Sequence, residues 1–271
     1  MRANNQRVSM RLRRMITFSV VGALAIGLAG FFGIPKMISV QVANLPESVQ
    51  NIANQVQPKP VTIFSPPKYS IDEASSIWVV VNKQRQISPL RYKPENLTFP
   101  SFPRPKIQNP FGLQLRAEAA TASEQLASAM REAGAGRLIL NSGFRTFKNQ
   151  QALYDRTKQT RGLAVAEKLS ARPGHSEHQL GLAADFSVRG EPCVIMVCFG
   201  KTPGGIWLAE NAHEYGYILR YPKGYKAITG FQYEPWHFIY VGIELATAMN
   251  TKGIKTLEQF WELPSSTEYS N

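Results

Sequence analysis

Three of the four histidines in this 271-residue chain fall in or directly beside two short segments that lie far apart in sequence. The first reads Ser176-Glu177-His178-Gln179-Leu180-Gly181-Leu182-Ala183-Ala184-Asp185 directly after His175, and the second Glu234-Pro235-Trp236-His237. Both carry acids beside glycine or proline breaks. Two imidazoles and a carboxylate are a recurrent three-ligand set for a catalytic zinc that keeps one position open, and a further glutamate supplies the base. A chain that uses both segments in one site must fold so that they meet. That demand constrains the topology more than any other feature.

Local pattern supports specific placements. Residues 182–188 read as a buried strand, and a side-chain period of two puts Ala183, Asp185 and Ser187 on one face. The small neighbours leave room for an ion beside Asp185, and His178 sits in the loop leading in. Residues 236–241 are aromatic and β-branched, hence a strand, and Pro235, which cannot donate to a ladder, marks its beginning or an edge. Glu234 and His237 would face opposite sides of a regular strand. They converge on one metal only if the chain turns at Pro235.

Elsewhere Leu115, Ala119, Ala122, Leu126, Met130 and Ala133 recur at helical steps before Gly134, which predicts an amphipathic helix. A strand is expected at 137–141, a helix at 146–158, further strands near Tyr217 and Trp236, and helices at the C-terminus. A helix over 205–215 leaves His213 facing solvent. The mixed order predicts an α+β fold, one catalytic domain over 77–263 with a small, mainly antiparallel sheet flanked by helices, and a C-terminal tail at 264–271.

Residues 15–34 carry no charge, and a helix of that length spans a bilayer core of about 30 Å. Arg2, Arg7, Arg11, Arg13 and Arg14 precede it without an acid, and only Lys36 follows closely, so the positive-inside rule places tail 1–14 in the cytoplasm and the rest outside. The expectation is an uncleaved transmembrane anchor in the lipid bilayer. A cleaved signal peptide is the competing reading, disfavoured by the length of the apolar stretch and the poor small-x-small candidate Gln41-Val42-Ala43. Residues 35–76, rich in Pro, Gln and Asn, read as an extracytoplasmic spacer.

The formal charge of +12 overstates the exported part. Six of the 31 basic residues precede the first acid, Glu47, leaving 25 against 19 acids and a net of +6. That is modestly basic, and no aromatic–basic pattern points to nucleic acid. Cys193 and Cys198 are the only cysteines. In an oxidising exterior they could close a small local disulfide, with free buried thiols as the alternative.

Three blocks carry a family resemblance: Ser142-Gly143-Phe144-Arg145, Ser176-x-His178-x-x-Gly181-x-Ala183-x-Asp185 and Glu234-x-x-His237. Together they resemble the VanY-type D-alanyl-D-alanine carboxypeptidases, within a wider group of zinc peptidases that includes lysostaphin-type enzymes and hedgehog-like domains. The likeness begins near Val81-Asn82-Lys83 and continues through Tyr215-Gly216-Tyr217-Ile218-Leu219-Arg220-Tyr221-Pro222 to Tyr240-Val241-Gly242. It implies one zinc ion on His178, Asp185 and His237, with Glu234 activating water. It also implies that Arg145 contacts the substrate's terminal carboxylate or the polarised carbonyl, a task suited to a guanidinium fork. Gln150 and Ser176 match family positions that could bind the substrate backbone. Gln150 could equally be an exposed residue of its helix, and Ser176 a loop residue that orders His178. His175 is expected at the rim.

The expected activity is removal of the terminal D-alanine from peptidoglycan stem peptides at the cell surface. An endopeptidase cutting inside the wall peptide would use the same ligands, so it stays open. A non-catalytic wall-binding module is the third reading, and Glu234 argues against it because a structural zinc needs no base. A serine mechanism at Ser65-Pro66-Pro67-Lys68 is rejected, since two prolines oppose the helical turn that would bring serine and lysine together.

Overall fold

The computed structural model of the chain describes residues 68–270. The span expected at 15–34 and the spacer up to residue 67 lie outside the described residues.

Strands β1 (Leu97–Thr98) and β2 (Leu115–Arg116) pair as a short antiparallel ribbon. The main sheet comprises β3 (Leu138–Ser142), β4 (Ala183–Val188), β5 (Tyr217–Leu219) and β6 (His237–Tyr240), in the antiparallel spatial order β3-β4-β6-β5. Helices are α1 (Pro105–Gln108), α2 (Ala117–Glu132), α3 (Phe147–Arg161), α4 (Leu163–Leu169), α5 (Pro203–Asn211), α6 (Lys226–Thr229), α7 (Gly242–Thr251) and α8 (Leu257–Phe260). This is the α+β arrangement expected, with a small antiparallel sheet among helices.

Helix α2 buries Ala119, Ala122, Leu126 and Met130, the stripe legible in sequence. Its start is later than the pattern suggested. Leu115 belongs to β2 because the Arg116 N–H donates to the Gly181 carbonyl at 2.8 Å, which holds the chain extended there. The Tyr217 hydroxyl donates to the Ala119 carbonyl at 2.6 Å and ties the sheet to this helix. The helix expected over 205–215 is α5 followed by a 3-10 turn at Ala212–Tyr215.

Strand β4 is central, and all six of its residues are buried, which explains its apolar run. Phe186 packs against Phe238 on the adjacent β6 and against Tyr217 on β5 beyond it. Asp185 is the one charged residue of the strand. A buried carboxylate without partners would cost several kcal/mol, so this strand requires compensating groups at that position.

Two stretches read as spacer and tail pack on the domain. Ala74 is buried, the Ser76 hydroxyl accepts from the Trp78 N–H at 3.0 Å, and Arg85 donates to the Ile71 carbonyl at 2.7 Å. At the other end Ser266 is fully buried and donates to the Thr229 carbonyl at 3.0 Å, while Tyr269 lies under the Arg172 guanidinium.

Candidate active site

Register brings the two sequence segments together. Asp185 on β4 is paired with Ser142 on one side and with His237 on the other. Directly opposed residues share a face with Cβ atoms about 4.5–5.5 Å apart, so the meeting of Asp185 and His237 follows from strand pairing alone.

His178 arrives from the 3-10 turn Glu177–Leu180, which Gly181 ends in the left-handed region at φ +69°. Its Nδ1 lies 2.8 Å from the Gly143 carbonyl, which can only accept, so Nδ1 carries the hydrogen and Nε2 is left for Asp185 Oδ2 at 3.4 Å. Gly143 is required there, since a Cβ would stand 2.6 Å from the Gln114 carbonyl oxygen. Ligand atoms of His178, Asp185 and His237 all lie within 4.8 Å of one another. Two imidazole nitrogens and one carboxylate oxygen, all from buried residues, fit zinc in number and donor type.

The turn demanded at Pro235 exists. The His237 N–H donates to the Glu234 carbonyl at 3.0 Å, and Glu234 Oε2 lies 4.0 Å from His237 Nδ1. Burial raises the Glu234 carboxyl, His237 opposes the shift, and Asp185 and Glu177 add to it, leaving it at about 7. His237 stands between two carboxylates, with Nδ1 3.0 Å from Asp185 Oδ1 and Nε2 3.1 Å from Glu177 Oε2. Burial alone would lower its imidazolium, but these contacts raise it to about 10. Burial works against ionised Asp185, yet His178 and His237 hold its carboxyl well below the usual range. These partners compensate the carboxylate buried in β4. The Tyr221 ring stacks on His237 at 5.0 Å.

Arg145 leaves the end of β3 just before α3. It donates from Nη2 to the Ser142 hydroxyl at 2.7 Å and from Nη1 to Gln150 Oε1 at 2.9 Å. Gln150 is buried, not exposed, and donates from Nε2 to the Ser170 hydroxyl at 3.1 Å and the Ala171 carbonyl at 2.7 Å. It therefore holds Arg145 in place. Ser176 is buried at the start of the turn that carries His178, and its carbonyl accepts from the Gln179 N–H at 3.0 Å.

One cavity of about 200 Å³ is lined by Arg145, Gln150, Ser176, Glu234 and the three candidate ligand residues. Leu153, Leu169 and Ile195 are apolar parts of its wall that the sequence did not single out. Ile195 sits in the loop closed by the Cys193–Cys198 disulfide. His175 lies away from this cavity, with Nδ1 2.9 Å from the Asn82 carbonyl and its ring against Tyr269. His213 is half-buried beside Asn250, at 2.9 Å. Glu177 and Tyr221 were also missed. Both stand in stretches that carry the family likeness, but only the folded chain shows that they face His237.

The sequence profile described as VanY, D-alanyl-D-alanine carboxypeptidase, matches residues 112–243. Among curated proteins, YodJ of Bacillus subtilis (strain 168) is 37% identical over 197 residues, spanning 71% of this chain and 70% of its own length. Among solved structures, the LD-carboxypeptidase LdcB superposes with a TM-score of 0.65 at 34% identity, covering 74% of this chain and 98% of that one. A mutant of the vancomycin resistance D,D-pentapeptidase VanY, in complex with Zn(II), gives 0.55 at 33% identity, covering 70% and 99%.

Proposed function

Because this chain belongs to the VanY family of zinc-dependent D-alanyl-D-alanine carboxypeptidases, we propose that it removes the terminal D-alanine from peptidoglycan stem peptides ending in D-Ala-D-Ala. The observation that carries this reading is Glu234, a largely buried carboxylate raised to about 7 and set 4.0 Å from a nitrogen of the ligand His237. A structural metal site has no use for such a base.

His178, Asp185 and His237 would hold the zinc, which when bound supplies a Lewis acid that polarises the scissile carbonyl and acidifies water. Glu234 takes the proton of the attacking water as its oxygen bonds to the carbonyl carbon. It then delivers that proton to the departing amine nitrogen as the C–N bond breaks. Arg145, fixed by Ser142 and Gln150, offers a forked cation to the terminal carboxylate or to the developing oxyanion. Leu153, Leu169 and Ile195 present apolar surface to the peptide ahead of the cut.

Residues 15–34 are proposed to anchor the protein in the membrane with its N-terminus cytoplasmic, and the spacer to carry the domain toward the wall. A second reading, an L,D-carboxypeptidase acting on tetrapeptides, draws support from the higher TM-score with LdcB. Rates on a stem pentapeptide ending in D-Ala-D-Ala, a tetrapeptide ending in one D-Ala and a cross-linked dimer separate the alternatives. Fastest D-alanine release from the pentapeptide supports the proposal. Preference for the tetrapeptide establishes the second reading, and cleavage of the dimer alone an endopeptidase.

A further inference from the structure

Behind His237 lies a chain of buried ions with no part in the chemistry above. Glu177 has a fully buried side chain whose Oε1 accepts from Arg220 Nε at 2.6 Å, while Oε2 faces His237 Nε2 at 3.1 Å. Arg220, also fully buried, donates from Nη1 and Nη2 to both oxygens of Glu258 at 2.8 and 2.7 Å. Asn82 Nδ2 donates to Glu258 Oε1 at 3.0 Å. The cluster thus links the turn that carries His178, the end of β5, α8 and the N-terminal part of the domain.

Stability alone is a poor account of this cluster. Buried ion pairs are often no more stabilising than apolar side chains of similar size, because desolvation offsets their attraction. The polarity of the contact at His237 is more informative. With a guanidinium on one oxygen, Glu177 stays ionised and can only accept, so His237 Nε2 must carry the hydrogen. The other nitrogen, Nδ1, faces Asp185 and Glu234. We propose that Glu177 is a positioning residue of the zinc centre, held by Arg220 and Glu258, which fixes His237 as the tautomer and ring orientation that present the Nδ1 lone pair to the metal. Carboxylates set behind metal-binding imidazoles act in this way elsewhere. His178 is fixed by a backbone carbonyl instead, at Gly143, so the two imidazoles are oriented by independent means and present opposite nitrogens.

Glu177→Gln gives a sharp test. The amide must aim its oxygen at the Arg220 N–H, which turns its NH2 toward His237 Nε2 and favours hydrogen on Nδ1, where zinc needs a lone pair. In the full chain purified in detergent, zinc affinity measured by competition with a chromophoric chelator is expected to fall about 10–100-fold, with an unchanged circular dichroism spectrum. A folded variant that binds zinc within about threefold of the parent would overturn the proposal, since a merely structural role lowers the melting temperature without touching that affinity. If the variant does not fold, ring 15N–1H correlation spectra of the zinc-loaded parent decide: hydrogen on His237 Nε2 supports the proposal and its absence there refutes it. The inference rests on the zinc site and not on which peptide is cut. A parent that binds no zinc would overturn the family reading as well, whereas failure in the variant alone leaves that reading intact.

Discussion

In the proposed zinc site the metal must displace a proton to bind at His237, and the surroundings of that imidazole set the size of the effect. Without metal this imidazole is raised to about 10 by Asp185 and Glu177, against its burial. At pH 8, about two units lower, essentially every His237 is doubly protonated, and each unit is worth about 1.4 kcal/mol, so losing the proton costs zinc binding about 3 kcal/mol. Glu234, at about 7, is already largely ionised at that pH and adds little to the count. Titration calorimetry in two buffers of different ionisation enthalpy should therefore find about one proton released per zinc at pH 8, and apparent affinity should rise about tenfold from pH 8 to 9. The sign also fixes a stability trend. A raised folded-state value stabilises the metal-free domain fully below the unfolded value of about 6.5, and that stability is lost as pH rises through about 10. The metal-free melting temperature should fall across this window, and zinc should remove the contribution of His237 to the slope. Proton release near zero at pH 8 would refute the reasoning, because His237 would then be neutral between its two carboxylates.

Other consequences are equally concrete. Glu234 acts as a base only when ionised, and zinc's charge lowers it from about 7, so kcat/KM should show an acid limb between about pH 5 and 7; a profile flat down to about pH 4 would contradict its role. Arg145→Lys replaces a fork that bonds Ser142 and Gln150 together with a point charge, and kcat/KM should fall at least about tenfold while zinc affinity holds; an unchanged kcat/KM would remove Arg145 from the substrate site. Gly143→Ala places a Cβ 2.6 Å from a backbone oxygen, so the 142–145 segment must shift, costing about 1–3 kcal/mol in denaturant unfolding and loosening zinc through His178; unchanged stability and affinity would show that this backbone yields freely.

The candidate metal set was named through the family resemblance, and short-range pattern accounts for part of its placement. Alternation over 182–188 puts Asp185 on a definite face, and Pro235 announces the turn that lets Glu234 and His237 converge. The helix stripe from Ala119 to Met130 was equally plain, but Leu115 was drawn into β2 by a hydrogen bond to Gly181, distant in sequence. The packing of residues 70–76 and of Ser266 escaped detection because their short, polar composition reads as loop, whereas their anchors are hydrogen bonds that only the folded chain brings together. Glu177, Arg220 and Glu258 are unremarkable singly. Their meaning arises from a buried convergence that no periodicity encodes.

Whether His178, Asp185, His237 and Glu234 form a hydrolytic zinc centre is tested most directly by D-alanine release from a pentapeptide ending in D-Ala-D-Ala. The full chain should be assayed as purified, after chelation and after zinc is restored, beside Glu234→Gln at equal zinc occupancy. The account predicts activity that vanishes with the chelator, returns with zinc and falls about 10²–10⁴-fold in the variant. Release that survives chelation, or a zinc-loaded Glu234→Gln as active as the parent, would contradict it.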